Sequence, residues 1–401
     1  MHFNRLSRII SGLVTTNERV ALGPLEGVRV VEMAGLGAGP ITGMMLADWG
    51  AEVILVDKPG PPSVEARIHV KDVDPLNCNK CRLPLNVKEP AHLSLLKEVI
   101  GASDVLLESY RPGVMERLGL SPEECMKQHS ALVYARLTGW GQTGPMALKA
   151  GHDPNYVAAT GALYHTGDPE TPPISPPTLL GDASAAALLV AGISAALVTV
   201  SKTGEGQVID ASIAESANYL TTYAKSFYQA GQMSDHRGAR WLDGAAPWNT
   251  TYATKAGGYM VVAAIEVKFY RALIMGLGLE SDPLFEDFQQ WDQEKWPQQK
   301  AAVAKRFATE SRAHWAKVFS DLDACVSPVL TYAESAELGH LAERGANRRI
   351  GDQVFPAPAP RFLQTPSSAS RSELTDDPPT YLSSIGVSQA SLDAWRESLR
   401  A

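Results

Sequence analysis

The stretch VRVVEMAGLGAGPITGMMLADWGAEVILVD (residues 28–57) predicts a strand, a glycine-rich turn, a helix and a second strand. VRVVEMA (28–34) is a near-continuous run of β-type residues, and AEVILVD ends a similar run at Asp57. Such runs are typical of strands that are buried on both faces of a sheet. Two such strands joined by a helix pair in parallel through a right-handed crossover, so the stretch predicts one βαβ unit.

Strand and helix patterns continue to alternate after this unit. Residues 91–101 have a helical pattern, and DVLLES (104–109) and ALVYARL (131–137) have strand patterns. This alternation predicts a doubly wound, Rossmann-like α/β domain. Residues 152–230 read as mainly helical, and a strand at 258–266 followed by a helix at 267–277 predicts a second, α+β region.

The rest of the chain completes a prediction of four parts. Residues 280–325 have a helical composition, the segment after Asp352 is rich in Pro and Ser, and SQASLDAWRESL (388–399) predicts a last short helix. The predicted parts are an N-terminal extension (1–23), a large α/β domain (24–230), a smaller α+β domain (240–340), and a C-terminal strap returning to the large domain (341–401).

The composition excludes several classes of protein. Of 401 residues, 45% are apolar and 20% are charged, which permits a sizeable core and excludes wholesale disorder. The 36 basic residues are outnumbered by 44 acidic ones, and the net charge of −8 disfavours general nucleic-acid binding. Four cysteines are too few to staple a chain of this length, which indicates a reducing compartment. We therefore expect a soluble intracellular enzyme without a nucleic-acid partner.

Two segments bear on location. Residues 183–200 are uncharged, but they are alanine-rich and stand alone, which favours a buried core helix over membrane insertion. Residues 1–22 carry several arginines and no acid before Glu18, which fits either a mitochondrial presequence or an ordinary extension. The chain ends in LRA, which is not a peroxisomal SKL-type signal. The expected location is mitochondrial or peroxisomal in a eukaryote and cytoplasmic otherwise.

Two short motifs carry weak signals for cofactors. GLGAGP (35–40) between a strand and a helix is similar to a dinucleotide-binding turn, but Pro40 stands where the fingerprint needs its third glycine. A tight strand–helix turn is the favoured interpretation. Cys78 and Cys81 form a C-x-x-C pair, but Cys125 and Cys325 have no partners at ligand spacing, so no metal site is predicted.

Three segments place ionisable side chains at the ends of elements. His152 precedes Asp153-Pro154, which predicts a helix start with the aspartate as the capping residue. The positive end of a helix dipole disfavours a protonated histidine, so a neutral His152 is a candidate base. Asp182 stands at the start of the alanine-rich helix, and Glu266 ends an apolar strand. Taken singly, each residue also has an ordinary structural explanation: a loop histidine, a helix cap, or a solvated carboxylate.

Read together, these segments carry a family resemblance. The chain resembles the α-methylacyl-CoA racemase family of the class III (CaiB/BaiF) CoA-transferase superfamily from about Pro24 to Phe362. The matching motifs in the catalytic half are HDPNY (152–156), LLGD (179–182), TGEGQVIDASIAES (203–216), WLDGAAPWNTTY (241–252), AAIEVKFY (263–270) and DACVSPVL (323–330). Those in the N-terminal half are VVEMAGLGAGP (30–40), LADWGAEVILVDKPG (46–60), DVLLESYRPGVMERLGL (104–120) and YARLTGWGQTGP (134–145).

The resemblance implies a fold and a reaction. It implies an interlocked homodimer whose large α/β domain binds CoA, with a smaller α+β domain beside it in each chain. The implied reaction inverts the α-carbon of a 2-substituted acyl-CoA through an enolate, with His152 and Asp182 as the acid/base pair on its two faces. The resemblance further implies that Glu266 pairs with the histidine and that the Asp153 backbone N–H donates to the enolate oxygen.

The resemblance also implies a set of CoA-binding residues. They surround the phosphates and the start of the catalytic helix, and they are Lys58, Leu85, Asn86, Val87, Lys88, Arg111, Gly151, Asn155 and Tyr156. No cofactor beyond the CoA moiety, and no metal, is implied. Lys58 replaces the usual arginine, and Arg82 is displaced by one position from its usual place. The sequence therefore predicts a local basic cluster within an acidic chain, formed by Lys58, Lys80, Arg82, Lys88 and Arg111.

Departures near Asp182 leave the acyl group open. Ala183-Ser184-Ala185 follows Asp182 where a bulky residue and glycines are usual, and Trp248 replaces Phe or Tyr. These changes suggest a bulkier or more polar acyl group, and an epimerase of isopenicillinyl-CoA type is one alternative. A class III CoA transferase that uses Asp182 as nucleophile is a second alternative. A non-catalytic CoA-binding protein is a third.

Overall fold

The computed structural model describes residues 23–60, 74–286, 289–367 and 378–398, so the predicted N-terminal extension lies almost wholly outside it. The described chain forms two compact units. The first unit contains the described residues up to Arg136, Leu189–Ile209, and those from Pro358 onward. The second unit contains Leu137–Leu188 and Asp210–Ala357.

The elements have the following bounds. The strands are β1 (Arg29–Met33), β2 (Glu52–Asp57), β3 (Cys81–Pro84), β4 (Val105–Glu108), β5 (Val133–Thr138), β6 (Val208–Ser212), β7 (Asn249–Ala253), β8 (Tyr259–Ala263), β9 (Val326–Pro328), β10 (Asn347–Ile350) and β11 (Gln353–Pro356). The helices are α1 (Ala38–Asp48), α2 (Pro90–Gly101), α3 (Val114–Arg117), α4 (Pro122–Gln128), α5 (Asp153–Ala158), α6 (Ser184–Thr203), α7 (Ile213–Leu220), α8 (Thr222–Gln229), α9 (Val267–Leu277), α10 (Trp296–Phe307), α11 (Arg312–Val318), α12 (Tyr332–Ala336), α13 (Gly339–Glu343), α14 (Pro378–Ser384) and α15 (Gln389–Ser398).

The first unit is built on a six-stranded sheet of order β3-β2-β1-β4-β5-β6. The pairs β1–β2, β1–β4, β2–β3 and β4–β5 are parallel, with Val31 opposite Ile54 on one side and Leu106 on the other. The chain reverses direction across the sheet after β3, because β4 adds to the other side of β1. The α/β fold class and the βαβ start of the chain are therefore confirmed.

Two strands of this sheet were not predicted. The strand β3 begins at the second cysteine of the C-x-x-C motif, and β6 lies in the region predicted to be mainly helical. Both are short, and β6 is flanked by a glycine-containing turn and by α7, which begins directly after Ser212. A run of four or five residues is too short for its periodicity to distinguish a strand from a helix.

The C-terminal segment contributes to the core of the first unit. A buried cluster of residues from β1, β2, β4 and α2 also contains side chains of the last two helices. These side chains are Leu382 on α14 and Leu392 and Trp395 on α15. The Trp395 indole N–H donates to the Pro84 carbonyl oxygen at 3.2 Å. Leu392 and Trp395 are three residues apart, so α15 presents one apolar face to the core.

The second unit contains helices and a three-stranded antiparallel sheet of order β7-β8-β9. Its core is rich in aromatic side chains, with Trp248, Tyr270, Phe307 and Trp315 almost fully buried. Trp248, one of the two departures from which an altered acyl group is predicted, belongs to this core. Its indole is fully buried and donates to the Gln290 carbonyl oxygen at 2.9 Å, as a core residue does.

The predicted extended strap contains a hairpin. Strands β10 and β11 pair antiparallel, with Ile350 opposite Gln353. Gly351 has φ 58° at the turn, a conformation that glycine adopts without steric cost. The Gly351-Asp352 pair between two short runs is a hairpin signal, and the proline-rich flank concealed it.

The apolar segment after Asp182 forms a helix that is buried on one face only. Leu179–Thr203 is long and apolar enough to cross a membrane by length and composition, with 33% of its apolar window buried in the described structure. The predicted core helix is therefore present, but it is less buried than expected. A single such helix is weak evidence for a membrane span, because core helices of other proteins pass the same test.

Candidate active site

His152 lies at the entrance to the short helix α5. It has extended backbone angles, its side chain is exposed, and its backbone N–H donates to Asn155 Oδ1 at 3.0 Å. The helix begins at Asp153, with Pro154 in its first turn, and His152 is the N-cap residue. The prediction that Asp153 is the capping residue is therefore wrong. The side chain of Asn155 satisfies the backbone donor that precedes the helix.

The Asp153 carboxylate instead contacts the segment that carries Asp182. Asp153 Oδ2 accepts hydrogen bonds from the backbone N–H groups of Gly181 and Asp182, each at 2.8 Å. These donors belong to the π-helical turn Leu179–Ala183, which leads into α6. The first turn of a helical segment has backbone N–H groups without intrahelical partners, and a carboxylate satisfies them.

Asp182 is half-buried on this turn and has an altered proton affinity. The pKa of Asp182 is raised to about 6, chiefly by burial and then by the negative charge of Asp153, while a positive charge on His152 acts in the opposite sense. Burial disfavours the charged form of a carboxyl group, and a nearby like charge has the same effect. The helix starts therefore bring His152, Asp153 and Asp182 into one electrostatically coupled group within the second unit.

Glu266 lies apart from this group in the described chain. It follows strand β8, stands at the N-cap of α9 and is exposed to solvent. Its backbone carbonyl oxygen accepts from the N–H groups of Phe269 and Tyr270. Among the described residues, neither a hydrogen bond nor an ion pair joins its carboxylate to His152.

One of the predicted CoA residues near α5, Tyr156, supports that helix from its buried side. Tyr156 is largely buried, and its hydroxyl donates to the Gly151 carbonyl oxygen. Its ring packs edge-on against Trp140 with centroids 4.9 Å apart. The loop at Gly151 is thereby held against α5, while Asn155 remains exposed beside His152.

The other predicted CoA residues follow the carboxyl ends of parallel strands in the first unit. Lys58 follows β2, Leu85–Lys88 follows β3, and Arg111 lies shortly after β4. The carboxyl ends of parallel strands meet at one edge of a sheet, where ligands of open α/β sheets bind. Lys58, Lys88 and Arg111 are exposed, whereas the side chain of Leu85 is buried and its backbone N–H donates to the Asp57 carbonyl oxygen at 2.7 Å.

Two predicted members of the basic cluster are already engaged. The prediction that Lys80 is a surface cation is wrong. Its ammonium group is buried 2.7 Å from the Glu32 carboxylate and donates to the Pro40 carbonyl oxygen. Arg82 is partly exposed, and its guanidinium donates to Asp57 Oδ2 at 2.8 Å. The exposed cations of this edge are therefore fewer than the sequence predicted.

The glycine-rich turn after β1 serves close packing. A Cβ added at Gly35 or Gly39 would lie 2.3 or 2.9 Å from Ser109 Oγ, so β4 approaches the turn closely. This geometry supports the favoured interpretation of a tight strand–helix turn. Within the described ranges, no group of three or more His, Cys, Asp or Glu side chains could hold a metal ion. Burial raises the pKa of Cys81 to about 11, so this thiol remains protonated near neutral pH.

Sequence reasoning missed the side-chain role of Asp153 and the need for Gly181. A Cβ added at Gly181 would lie 2.5 Å from Asp153 Oδ2, so only glycine allows this approach. The signal was a glycine directly before Asp182. The partner of that glycine lies 28 residues earlier in the chain, and spacing alone does not reveal it.

Comparisons with known proteins assign the chain to a family. Residues 25–381 match the model described as CoA-transferase family III, and the chain belongs to that family. It is 42% identical over 345 residues to alpha-methylacyl-CoA racemase of Homo sapiens, covering 86% of this chain and 87% of that protein. It is 28% identical over 359 residues to succinyl-CoA:glutarate CoA-transferase of Mus musculus, covering 84% and 80%.

Solved structures agree with the fold. The crystal structure of a CAIB/BAIF family protein from Brucella suis superposes with a TM-score of 0.67 at 24% identity, covering 88% of this chain and 99% of that one. At this identity the likeness shows the fold alone. The family resemblance seen in the motifs is thus confirmed, and the similarity to named racemases makes the chain an enzyme of the isomerase class.

Proposed function

We propose that this protein is a racemase or epimerase that inverts the α-carbon of a 2-substituted acyl-CoA thioester. The observation that carries the proposal is the coupled group of His152, Asp153 and Asp182 on two adjacent helix starts. Inversion needs an acid/base group on each face of the α-carbon. Histidine side chains exchange protons near neutral pH. The Asp182 carboxyl group, with its pKa raised to about 6, is able to do the same.

The proposed reaction is a 1,1-proton transfer. In one direction the Asp182 carboxylate takes the α-proton, and the C–H electron pair moves toward the thioester carbonyl to form an enolate. Protonated His152 then delivers a proton to the opposite face, which leaves Asp182 protonated and His152 neutral. The reverse direction starts from that state. The Asp153 backbone N–H, at the start of α5, is the proposed donor to the enolate oxygen.

Glu266 has a place in this proposal through a homodimer. Since Glu266 and His152 do not contact each other within the described chain, we propose that Glu266 of the partner subunit pairs with His152 and favours its protonated form. Apolar residues left exposed on α7 and α8, such as Tyr219 (69% exposed) and Tyr223 (74%), support an interface between copies. Large apolar side chains exposed on neighbouring helices are typical of contact surfaces.

The phosphates of CoA are assigned to the carboxyl edge of the sheet in the first unit. The exposed cations Lys58, Lys88 and Arg111 follow β2, β3 and β4 at that edge. Their charges suit the phosphates of CoA. We also propose the domain bounds predicted from the sequence, with a large domain at 24–230 and a smaller one at 240–340. For a eukaryotic enzyme we propose a mitochondrial or peroxisomal location.

Arg111→Ala should weaken acyl-CoA binding without slowing the chemical step. Loss of one charged hydrogen bond to a phosphate predicts a roughly tenfold rise in KM and in the Kd for free CoA, with kcat nearly unchanged. Calorimetric titration with CoA and steady-state kinetics measure both. Arg117→Ala is the matched control, because Arg117 is an exposed arginine on α3. Equal effects of the two variants would contradict the assignment.

A class III CoA transferase remains the second candidate, because the mouse relative carries that name. In that mechanism Asp182 attacks the thioester as a nucleophile, and a glycine-rich loop covers it. Here the comparable position has only Gly257-Gly258, which forms the turn between β7 and β8. A transferase has no need of a base at His152, so the pairing of His152 with Asp182 favours inversion.

One incubation separates these candidates. A single epimer of a 2-methylacyl-CoA is supplied with a free carboxylic acid in D2O, and the epimer ratio, α-deuterium and acyl-CoA composition are followed. We expect inversion with deuterium incorporation and no new acyl-CoA. Formation of a new acyl-CoA without α-exchange identifies a transferase, and no reaction identifies a binding protein.

The width of the acyl site is a finer part of the proposal. Ala183 and Ser184 follow Asp182 directly, and Ser184 Oγ donates to the Leu180 carbonyl oxygen at 2.6 Å. The absence of a bulky side chain there supports an acyl group larger than a plain 2-methyl chain, such as an isopenicillinyl group. Equal turnover of plain and bulky acyl-CoA substrates would contradict the proposed wide acyl site and leave the racemase proposal intact.

A further inference from the structure

We propose that the side chain of Asp153 is a positioning residue that holds the Asp182 turn and keeps Asp182 able to act as both acid and base near neutral pH. This inference rests on the proposed function. It assigns to the Asp153 carboxylate a role that is separate from the backbone N–H of the same residue.

The first support is the geometry of the contact. Asp153 Oδ2 accepts from two consecutive N–H groups at 2.8 Å, one of which is the N–H of Asp182 itself. Hydrogen bonds to a charged acceptor are short and stronger than neutral ones. The backbone that carries the Asp182 side chain is thus tied directly to the helix that begins after His152.

The second support is the burial of Asp153. The residue is only 4% exposed, and Oδ1 is buried without a hydrogen-bond partner among the described residues. A buried carboxylate with an unsatisfied oxygen is costly, and such groups require an explanation. With no donor at Oδ1 among the described residues, the Asp153 charge acts with little screening on Asp182, whose pKa it raises.

The third support is the shape of the turn. Gly181 is the residue whose Cβ would collide with the Asp153 carboxylate, at 2.5 Å from Oδ2 and 2.7 Å from Cγ. The turn therefore combines a missing side chain, a buried carboxylate and a π-helical backbone at the point where Asp182 emerges.

Few other titratable groups face Asp182. The helix α5 contributes Asp153 and Tyr156, with His152 at its start, and the Tyr156 hydroxyl is occupied by the Gly151 carbonyl. The helix α7, which also packs on the turn, carries Glu215 and Tyr219, and both are exposed. Asp153 is therefore the charge best placed to bias Asp182, and it acts in the same sense as burial.

The consequence concerns both directions of inversion. A carboxyl group with its ordinary pKa near 4 is almost never protonated at pH 7 and is a weak base. Raising the pKa of Asp182 to about 6 strengthens the carboxylate as a base and increases the fraction present as the acid. Removal of the Asp153 charge should reverse part of both gains, because burial of Asp182 remains.

Asp153→Asn tests the inference with little change of shape. The asparagine carbonyl oxygen can accept the same N–H groups, whereas the negative charge is lost. We expect the pH midpoint of Asp182 to move down by roughly one unit and the inversion rate at pH 7 to fall roughly tenfold, with the Kd for CoA unchanged. Glu215→Gln, which removes an exposed carboxylate from α7, is the control and should move neither quantity.

The decisive readout is the titration of Asp182 without substrate. ¹³C-carboxyl NMR of aspartate-labelled protein follows it, and the Asp182 signal is identified by its loss in Asp182→Asn. An unshifted midpoint in Asp153→Asn overturns the inference, even if activity falls. If that variant does not fold, Asp153→Ser, which also removes the charge and keeps an oxygen acceptor, is titrated in its place, and an unshifted midpoint again overturns the inference. Because the titration needs no turnover, failure of the racemase proposal would be seen separately as a lack of α-exchange.

Discussion

Asp182→Asn and His152→Gln are each expected to lower the rate of α-carbon inversion by roughly 10³-fold, which is the usual contribution of a positioned acid/base group. The two variants should differ in what they retain. When one group is removed, the other still faces the α-carbon and still removes the proton that it reaches. Each variant should therefore exchange the α-proton of one epimer with solvent while it fails to invert that epimer.

The rate of α-proton exchange with solvent, measured separately for each epimer, shows which group deprotonates which epimer. Asp182→Asn should exchange the epimer that His152 deprotonates, and His152→Gln should exchange the opposite epimer. Asparagine at position 182 keeps the backbone N–H that Asp153 accepts, so the turn is retained. The exposed Glu215 again offers a control, since Glu215→Gln should leave both exchange rates intact. Full inversion by His152→Gln would contradict the two-base account.

The elements that position these residues could largely be predicted from the sequence. Long apolar runs and helical spacing located β1, β2, β4, β5, α2 and α9 to within a few residues. The short elements β3 and β6 and the hairpin β10–β11 escaped, because a few residues carry too little periodicity. Local signals thus sufficed where an element was long or fully buried.

Contacts between distant residues could not be predicted in the same way. The tie from Asp153 to Gly181 and the pair of Lys80 with Glu32 join residues that are 28 and 48 positions apart. Lys80, inside the C-x-x-C motif, has no local sign of burial, and its partner is found only when β3 is placed next to β2. Likewise, no local signal shows that the indole of Trp248 is fully buried in the core of the second unit.

Lys80→Met is expected to lower the free energy of unfolding by about 4 kcal/mol, because it leaves the Glu32 carboxylate buried without a cation. Both side chains are almost fully buried, with exposures of 1% for Lys80 and 0% for Glu32. Burial already raises the pKa of Glu32 even with the lysine present. Urea unfolding at constant m-value measures the loss as a lower midpoint.

The effect of Lys80→Met should depend on pH. A carboxyl group whose folded pKa lies above its unfolded value costs stability fully above the folded pKa and not at all below the unfolded one. The deficit should therefore be larger at pH 8 than at pH 5, where Glu32 can be protonated. The double variant Glu32→Gln/Lys80→Met should recover most of the loss, and Lys127→Met, at an exposed lysine on α4, should have little effect. A pH-independent deficit would contradict the buried-charge explanation.

The central claim is that inversion uses two groups on opposite faces of the α-carbon. Each epimer of a 2-methylacyl-CoA is incubated separately with the wild-type enzyme in D2O, and the reaction is stopped at low conversion. Deuterium at the α-carbon is then measured by mass spectrometry in the product epimer and in the recovered substrate. The account predicts solvent deuterium in the product and little in the recovered substrate, in both directions. An inverted product that retains the original α-proton, or CoA transfer without inversion, would contradict it.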